Sequence, residues 1–93
     1  MTTHTLKCWP RYFKDIASGR LTFCMRKNDR GYAVGDVLIL REYEMDVVSE
    51  GYTGREERRI VNYVMPGGEF GIDKDYCVLG LDEMAEEEEY DVD

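Results

Sequence analysis

The chain has 93 residues, with 12 Lys+Arg against 20 Asp+Glu and a formal net charge of −8. That is the length of one domain with one compact core, too short for two. No run of 18 apolar residues occurs, which excludes a membrane-spanning helix, and Met1–Thr5 lacks the basic-then-apolar pattern of a secretory leader. Cys8, Cys24 and Cys77 form an odd set without Cys-x-x-Cys, against a disulfide scaffold or zinc ribbon. A cytoplasmic, reduced, soluble domain is expected, with no cofactor and no metal site.

The charge is unevenly spread. Residues 82–93 hold 8 acids and no base, which leaves 12 acids and 12 bases in residues 1–81. Within that neutral body, residues 1–41 carry 8 bases against 3 acids, and residues 42–81 carry 4 bases against 9 acids. The basic first half is suited to phosphate, which the whole-chain charge conceals. Residues 82–93 are too polar and self-repelling to pack, so the expected organisation is a domain over 1–81 followed by a disordered acidic tail. Such a tail solubilises, contacts a basic partner, or competes with nucleic acid for the basic surface.

Thr3–Cys8 reads as a short strand. Pro10 suits a helix start, where its missing N–H would be unpaired anyway. Arg11–Ser18 then places Phe13, Ile16 and Ala17 at helical spacing before Gly19, a natural terminator. Leu21–Lys27 alternates, with Leu21, Phe23 and Met25 on one face and Thr22, Cys24 and Arg26 on the other. That pattern predicts a half-buried strand whose polar face is available for function. Asn28–Gly31 is a turn, and Val37–Tyr43 a strand that begins almost wholly apolar. Ser49, Gly51 and Gly54 suggest a long hairpin connection over 44–54, followed by a strand over Arg55–Met65. Pro66–Gly71 is a glycine-rich loop, and Tyr76–Leu81 a last strand. Five short strands and one helix predict a β-dominated α+β fold, a curved sheet or small barrel with the helix over an open end.

Arg26-Lys27-Asn28-Asp29-Arg30 groups three cations at a strand end, where arginine offers a planar fork for phosphate or a base edge. Its bland alternative is a solvated turn. Trp9, the only tryptophan, stands near Lys7 and Arg11 and either stacks on a base or packs against the helix. Cys24 is either a small buried hydrophobe or a nucleophile.

Leu6-Lys7-Cys8-Trp9-Pro10, Thr22-Phe23, the 26–30 cluster, Val34-Gly35-Asp36, Tyr52-Thr53-Gly54-Arg55 and Gly68-Glu69-Phe70-Gly71-Ile72 occur in an order that resembles a known family. It is the ASCH (activating-signal-cointegrator homology) family of the PUA-like superfamily, in a bacterial and phage branch, over about residues 4–81. The resemblance implies a PUA-like β-barrel with a cleft beside the helix that binds RNA, a nucleotide or a modified base. It allows Glu69 to face that cleft as an acceptor for a base amino group. The family signature is similar to Gly-x-Lys-x-x-Glu-x-Arg; Gly19 and Arg26 match it, while Leu21 and Cys24 replace the Lys and the Glu.

Three functions follow as expectations. The first is a non-catalytic, monomeric binding module using Lys7, Trp9, Arg26, Lys27, Asn28, Arg30 and Glu69. The second is a small phage-type interaction protein that inhibits a host protein, with the acidic tail making the contact. The third is an amidohydrolase acting on acylated cytidine, as some relatives of that family do, with Cys24 as nucleophile. The neutral Leu21 weighs against the third, because it supplies no charge to activate a thiol.

Overall fold

The structure is a computed structural model and describes residues 1–45 and 50–84. It is β-dominated. In chain order the elements are β1 (Thr3–Cys8), α1 (Pro10–Ala17), β2 (Phe23–Lys27), β3 (Val37–Met45), β4 (Glu50–Pro66) and β5 (Tyr76–Glu83). The strands form one mixed sheet in the order β1-β3-β4-β5-β2, curled into a half-barrel. The β1–β3 pair is parallel and the other three pairs are antiparallel. Parallel pairing needs a crossover, and here α1 and β2 lie in the chain between β1 and β3.

The curl comes from β4. Its first part, Glu50 to Ile60, pairs with β3, and its last part, Arg59 to Pro66, pairs with β5. One long strand thus serves both halves of the sheet. Register shifts between Arg41 and Tyr43 and between Val61 and Tyr63 mark where it bends. At the second shift the Asn62 side chain lies over Gly80, where any Cβ would collide with its Oδ1. Asn62 Nδ2 donates to Asp82 Oδ1 at 2.7 Å, so the bulge is pinned as well as accommodated.

Alternation decides what lies inside. His4, Leu6 and Cys8 of β1 are buried while Thr3, Thr5 and Lys7 are exposed. Cys77, Leu79 and Leu81 of β5 are buried in the same manner. Leu6 and Cys8 of β1, these three residues of β5, and Leu38, Leu40, Val61, Phe13, Ile16 and Tyr32 form the core. The helix opens on Trp9, whose carbonyl accepts from the N–H groups of Tyr12 and Phe13, and Pro10 occupies its first position. Gly19, at φ 87°, ends it, with its N–H on the Ile16 carbonyl.

A buried arginine seats the helix. Arg59 of β4 points inward and donates through Nη2 to the Ile16 carbonyl at 2.7 Å. A cation at the last turn also suits the helix dipole. Near the N-terminus, the His4 Nε2–H donates to Asp36 Oδ2 at 2.9 Å, and both side chains are buried. The backbone N–H groups of Thr2 and Ala33 add to that carboxylate at 3.0 Å each.

Three expectations are corrected. The apolar face of β2 is the outward one: Phe23 and Met25 are 49% and 54% exposed, while Cys24 and Arg26 face the interior. β2 is an edge strand whose inner side lines a cleft, so its polar residues take the inward positions. The connection expected over 44–54 is mostly strand, because β3 runs to Met45 and β4 begins at Glu50. The expected tail boundary after residue 81 is also too early: Asp82 and Glu83 continue β5 by pairing with Ile60 and Arg59. Residues 85–93 of the expected tail lie outside the described residues.

Candidate functional site

β1 and β2 are the two edges of the open sheet, and side chains bridge them. Arg26 Nη2 of β2 donates to the Lys7 carbonyl of β1 at 2.7 Å. Arg30, just beyond β2, donates through Nη1 to the Thr5 carbonyl at 3.3 Å. The half-barrel is therefore closed along this seam by arginines.

At one end of the seam, under α1, lies a cleft of about 640 Å³. Residues on its walls include Lys7, Cys8, Trp9, Ile16, Cys24 and Arg26. Three of the residues expected to bind a ligand, Lys7, Trp9 and Arg26, thus meet in one cavity, with Cys24 beside them. Lys27, Asn28, Arg30 and Glu69 do not line it. Lys27 ends β2, the Asn28 N–H is held by the Asp75 carbonyl at 2.8 Å, and Arg30 is engaged at the seam. Glu69 is exposed in the β4–β5 loop, where the Ile72 N–H donates to its carbonyl at 2.9 Å. Gly67 in that loop is obligatory, since a Cβ there would strike the Asp73 carbonyl oxygen.

Arg26 carries the most telling geometry. One end of its guanidinium is committed to the seam, while Nε is buried and out of hydrogen-bonding geometry with any acceptor among the described residues. A buried unpaired donor on an arginine is costly. The Nε carries almost no accessible surface, so it is the rest of the side chain that Arg26 presents to the cleft.

The thiols behave differently. Burial pushes the Cys24 thiol up, and the nearby Arg26 guanidinium, which pulls the other way, does not offset it. Cys8 is raised for the same reason, again against Arg26, and burial also raises Cys77. The one histidine of the chain is engaged with Asp36. Among the described residues, no group of three or more His, Cys, Asp or Glu is gathered to hold a metal ion.

The structure adds residues that the sequence reading passed over. Glu42 is buried at the inner end of β3, opposite Cys8 in the register. Its Oε1 accepts from Thr53 Oγ1 and Arg55 Nε, each at 2.8 Å, with Arg55 Nη2 at 2.6 Å. On the outer face, Trp9, Tyr43 and Tyr52 form a row of rings with centroids 6.0 and 5.1 Å apart. Lys7 Nζ sits 4.2 Å from the Tyr43 centroid, and the Arg41 guanidinium 3.8 Å from that of Tyr52. The alternation of Arg41 and Tyr43 was the available signal, but pairing Tyr43 with Tyr52 required the register across the hairpin.

No curated protein matches the sequence at a significant level. A family model matches residues 3–81, from the first residue of β1 to within two residues of the end of β5. The matched region contains the seam, the cleft and the helix that covers it, and the chain belongs to the family described as domain of unknown function DUF3850.

Proposed function

We propose that this domain is a non-catalytic binding module that takes RNA, a nucleotide or a modified base into the cleft beside α1. The observation that carries this reading is the meeting of Arg26, Trp9 and Lys7 on the walls of one cleft. An arginine donor offers a charge-assisted hydrogen bond to a phosphate or base oxygen, and an indole offers a stacking surface. The finer resemblance to the ASCH branch of the PUA-like superfamily belongs to the same proposal and supports the same class of ligand.

Trp9, as the only tryptophan, is a built-in reporter. Titration with nucleoside monophosphates and short RNAs should change its fluorescence. Arg26→Ala should weaken binding by about tenfold or more, the equivalent of one charged hydrogen bond, with circular dichroism confirming the fold. No fluorescence response in the parent protein, or unchanged affinity in a folded Arg26→Ala variant, would refute the proposal.

A second reading, an interaction protein, is favoured by the apolar surface that runs outward from the rim of the cleft, where Phe23 and Met25 stand. Phe23 and Met25 of β2 share an outer face with Tyr63 of β4, which is 64% exposed, and with the partly buried Val78 and Met65. Contiguous exposed apolar side chains mark contact surfaces. A stoichiometric protein captured by the wild type and lost on Met25→Glu would favour it. The amidohydrolase reading has less support, since burial raises the Cys24 thiol where a nucleophile needs it lowered.

A further inference from the structure

The ring row on the outer face extends the cleft. Trp9 lines the cavity and, through its other contact, begins the series that continues to Tyr43 and Tyr52. The chain supplies this continuity from three elements: the Trp9 corner between β1 and α1, β3, and the start of β4. Two cations are fixed on it by the rings beneath them, Lys7 over Tyr43 and Arg41 over Tyr52. Trp9 and Tyr52 are 48% and 46% exposed, so the two ends of the row face solvent.

We infer that this row is a track for single-stranded nucleic acid, on which nucleotides adjoining the one held in the cleft stack. The inference rests on the binding-module reading and narrows it, from a free nucleotide to an oligonucleotide. The chemistry is that of sequence-tolerant single-strand recognition, in which aromatic faces take bases and cations take the backbone. Arg41 is suited to both tasks. A guanidinium held over a tyrosine ring still has N–H groups for phosphate and a planar face that a base can meet. Lys7 provides a point charge one step closer to the cleft. The track carries Lys7 and Arg41 against the acid Glu56, which stands opposite Arg41 in the register, and this cationic balance is the complementarity that selects an anionic occupant.

The experiment is competition for a fluorescein-labelled uridine hexamer, read by anisotropy, with unlabelled uridine monophosphate, dimer, trimer and hexamer. Affinity should rise at least about fivefold per added nucleotide until the track is filled, at about three nucleotides. Arg41→Ala and Tyr52→Ala should flatten this rise, with uridine monophosphate affinity as in the wild type. Arg41→Ala should also lower the salt slope by about 0.7, the share of one phosphate on a single strand. If the monophosphate competes as well as the hexamer, or if both variants keep the length dependence, the track is refuted and the cleft reading stands. If an acidic peptide of equal charge competes as well as the hexamer, the assignment to nucleic acid is overturned. If the wild type binds neither monophosphate nor hexamer, both readings fall.

Discussion

Replacing Arg59 by methionine tests whether one buried cation seats the helix on the half-barrel. Methionine keeps most of the apolar stem, so little packing volume is lost, while every donor is removed. Arg59 donates to the Ile16 carbonyl at 2.7 Å, to the Arg58 carbonyl at 2.7 Å and to Glu57 Oε1 at 3.0 Å. The first is the consequential one: it is buried and joins residues 43 positions apart. A hydrogen bond from a charged donor is worth about 1.5–3 kcal/mol. The Glu57 pair is partly solvated on the carboxylate side and contributes about 1 kcal/mol or less. Together these give a loss of about 2–4 kcal/mol, against a total stability of roughly 5–14 kcal/mol for a domain of this size. Urea unfolding followed by circular dichroism should show a lower midpoint at unchanged slope, and Arg59→Lys should fall between the two. A loss below about 1 kcal/mol at unchanged slope would show that the helix is held by Phe13 and Ile16 alone, and the reasoning about Arg59 would be wrong.

Asp36 is held below the usual carboxylate range, first by the His4 hydrogen bond and then by the Thr2 N–H, with the Ala33 N–H adding to them against burial. A depressed folded pKa means this stabilisation is complete above the unfolded value of about 3.9 and is lost as pH falls through the folded one. Acid unfolding monitored from pH 5 down to pH 2 should therefore be shallower in Asp36→Asn than in the wild type; identical profiles would exclude that carboxylate. Gly67→Ala should destabilise by about 1–3 kcal/mol because the new Cβ meets the Asp73 carbonyl, as a thermal melt would register. The raised thiols predict that iodoacetamide labels the folded protein slowly at pH 7 and far faster in denaturant. Mass spectrometry showing rapid modification of half-buried Cys24 in the native protein would contradict the raised thiol.

The sequence disclosed the elements that obey a simple period. His4, Leu6 and Cys8 alternate with Thr3, Thr5 and Lys7, and the strand they predict is β1 without change of bounds. Pro10 and Gly19 bracket the helix because one lacks an N–H and the other tolerates a positive φ. The β2 strand was legible as a strand but not in its orientation. Alternation says that two faces differ, and only the position of the strand in the sheet says which face turns inward. An edge strand bordering a cleft reverses the ordinary rule, so Phe23 and Met25 stand outside.

The site was partly legible for a related reason. Lys7, Trp9 and Arg26 were candidates by residue type, and the fold brings them to one cavity. Arg30 was a candidate on the same grounds; it stands outside the cavity, and its guanidinium, like that of Arg26, reaches a backbone carbonyl of β1. Carbonyls carry no signature in a sequence, so an arginine that serves the backbone reads like one awaiting an anion. Buried Arg59 was missed for a similar reason. Arg55-Glu56-Glu57-Arg58-Arg59 looks uniformly solvated, and only the inward turn of Arg59 beneath α1 distinguishes it.

The arginine seam bears on what an incoming strand would meet at the edges of the sheet. A strand edge presents a row of backbone groups that can template another chain, and a sheet left open has two such rows. Here the rows face each other across a gap, and Arg26 and Arg30 occupy outward carbonyls of β1 that an incoming strand would need. Two side chains thus give an open sheet much of the protection that a closed barrel obtains from its backbone. Chains carrying Ala at both positions should lose that protection together and form swapped or stacked assemblies at lower concentrations than the parent protein does, as light scattering would register.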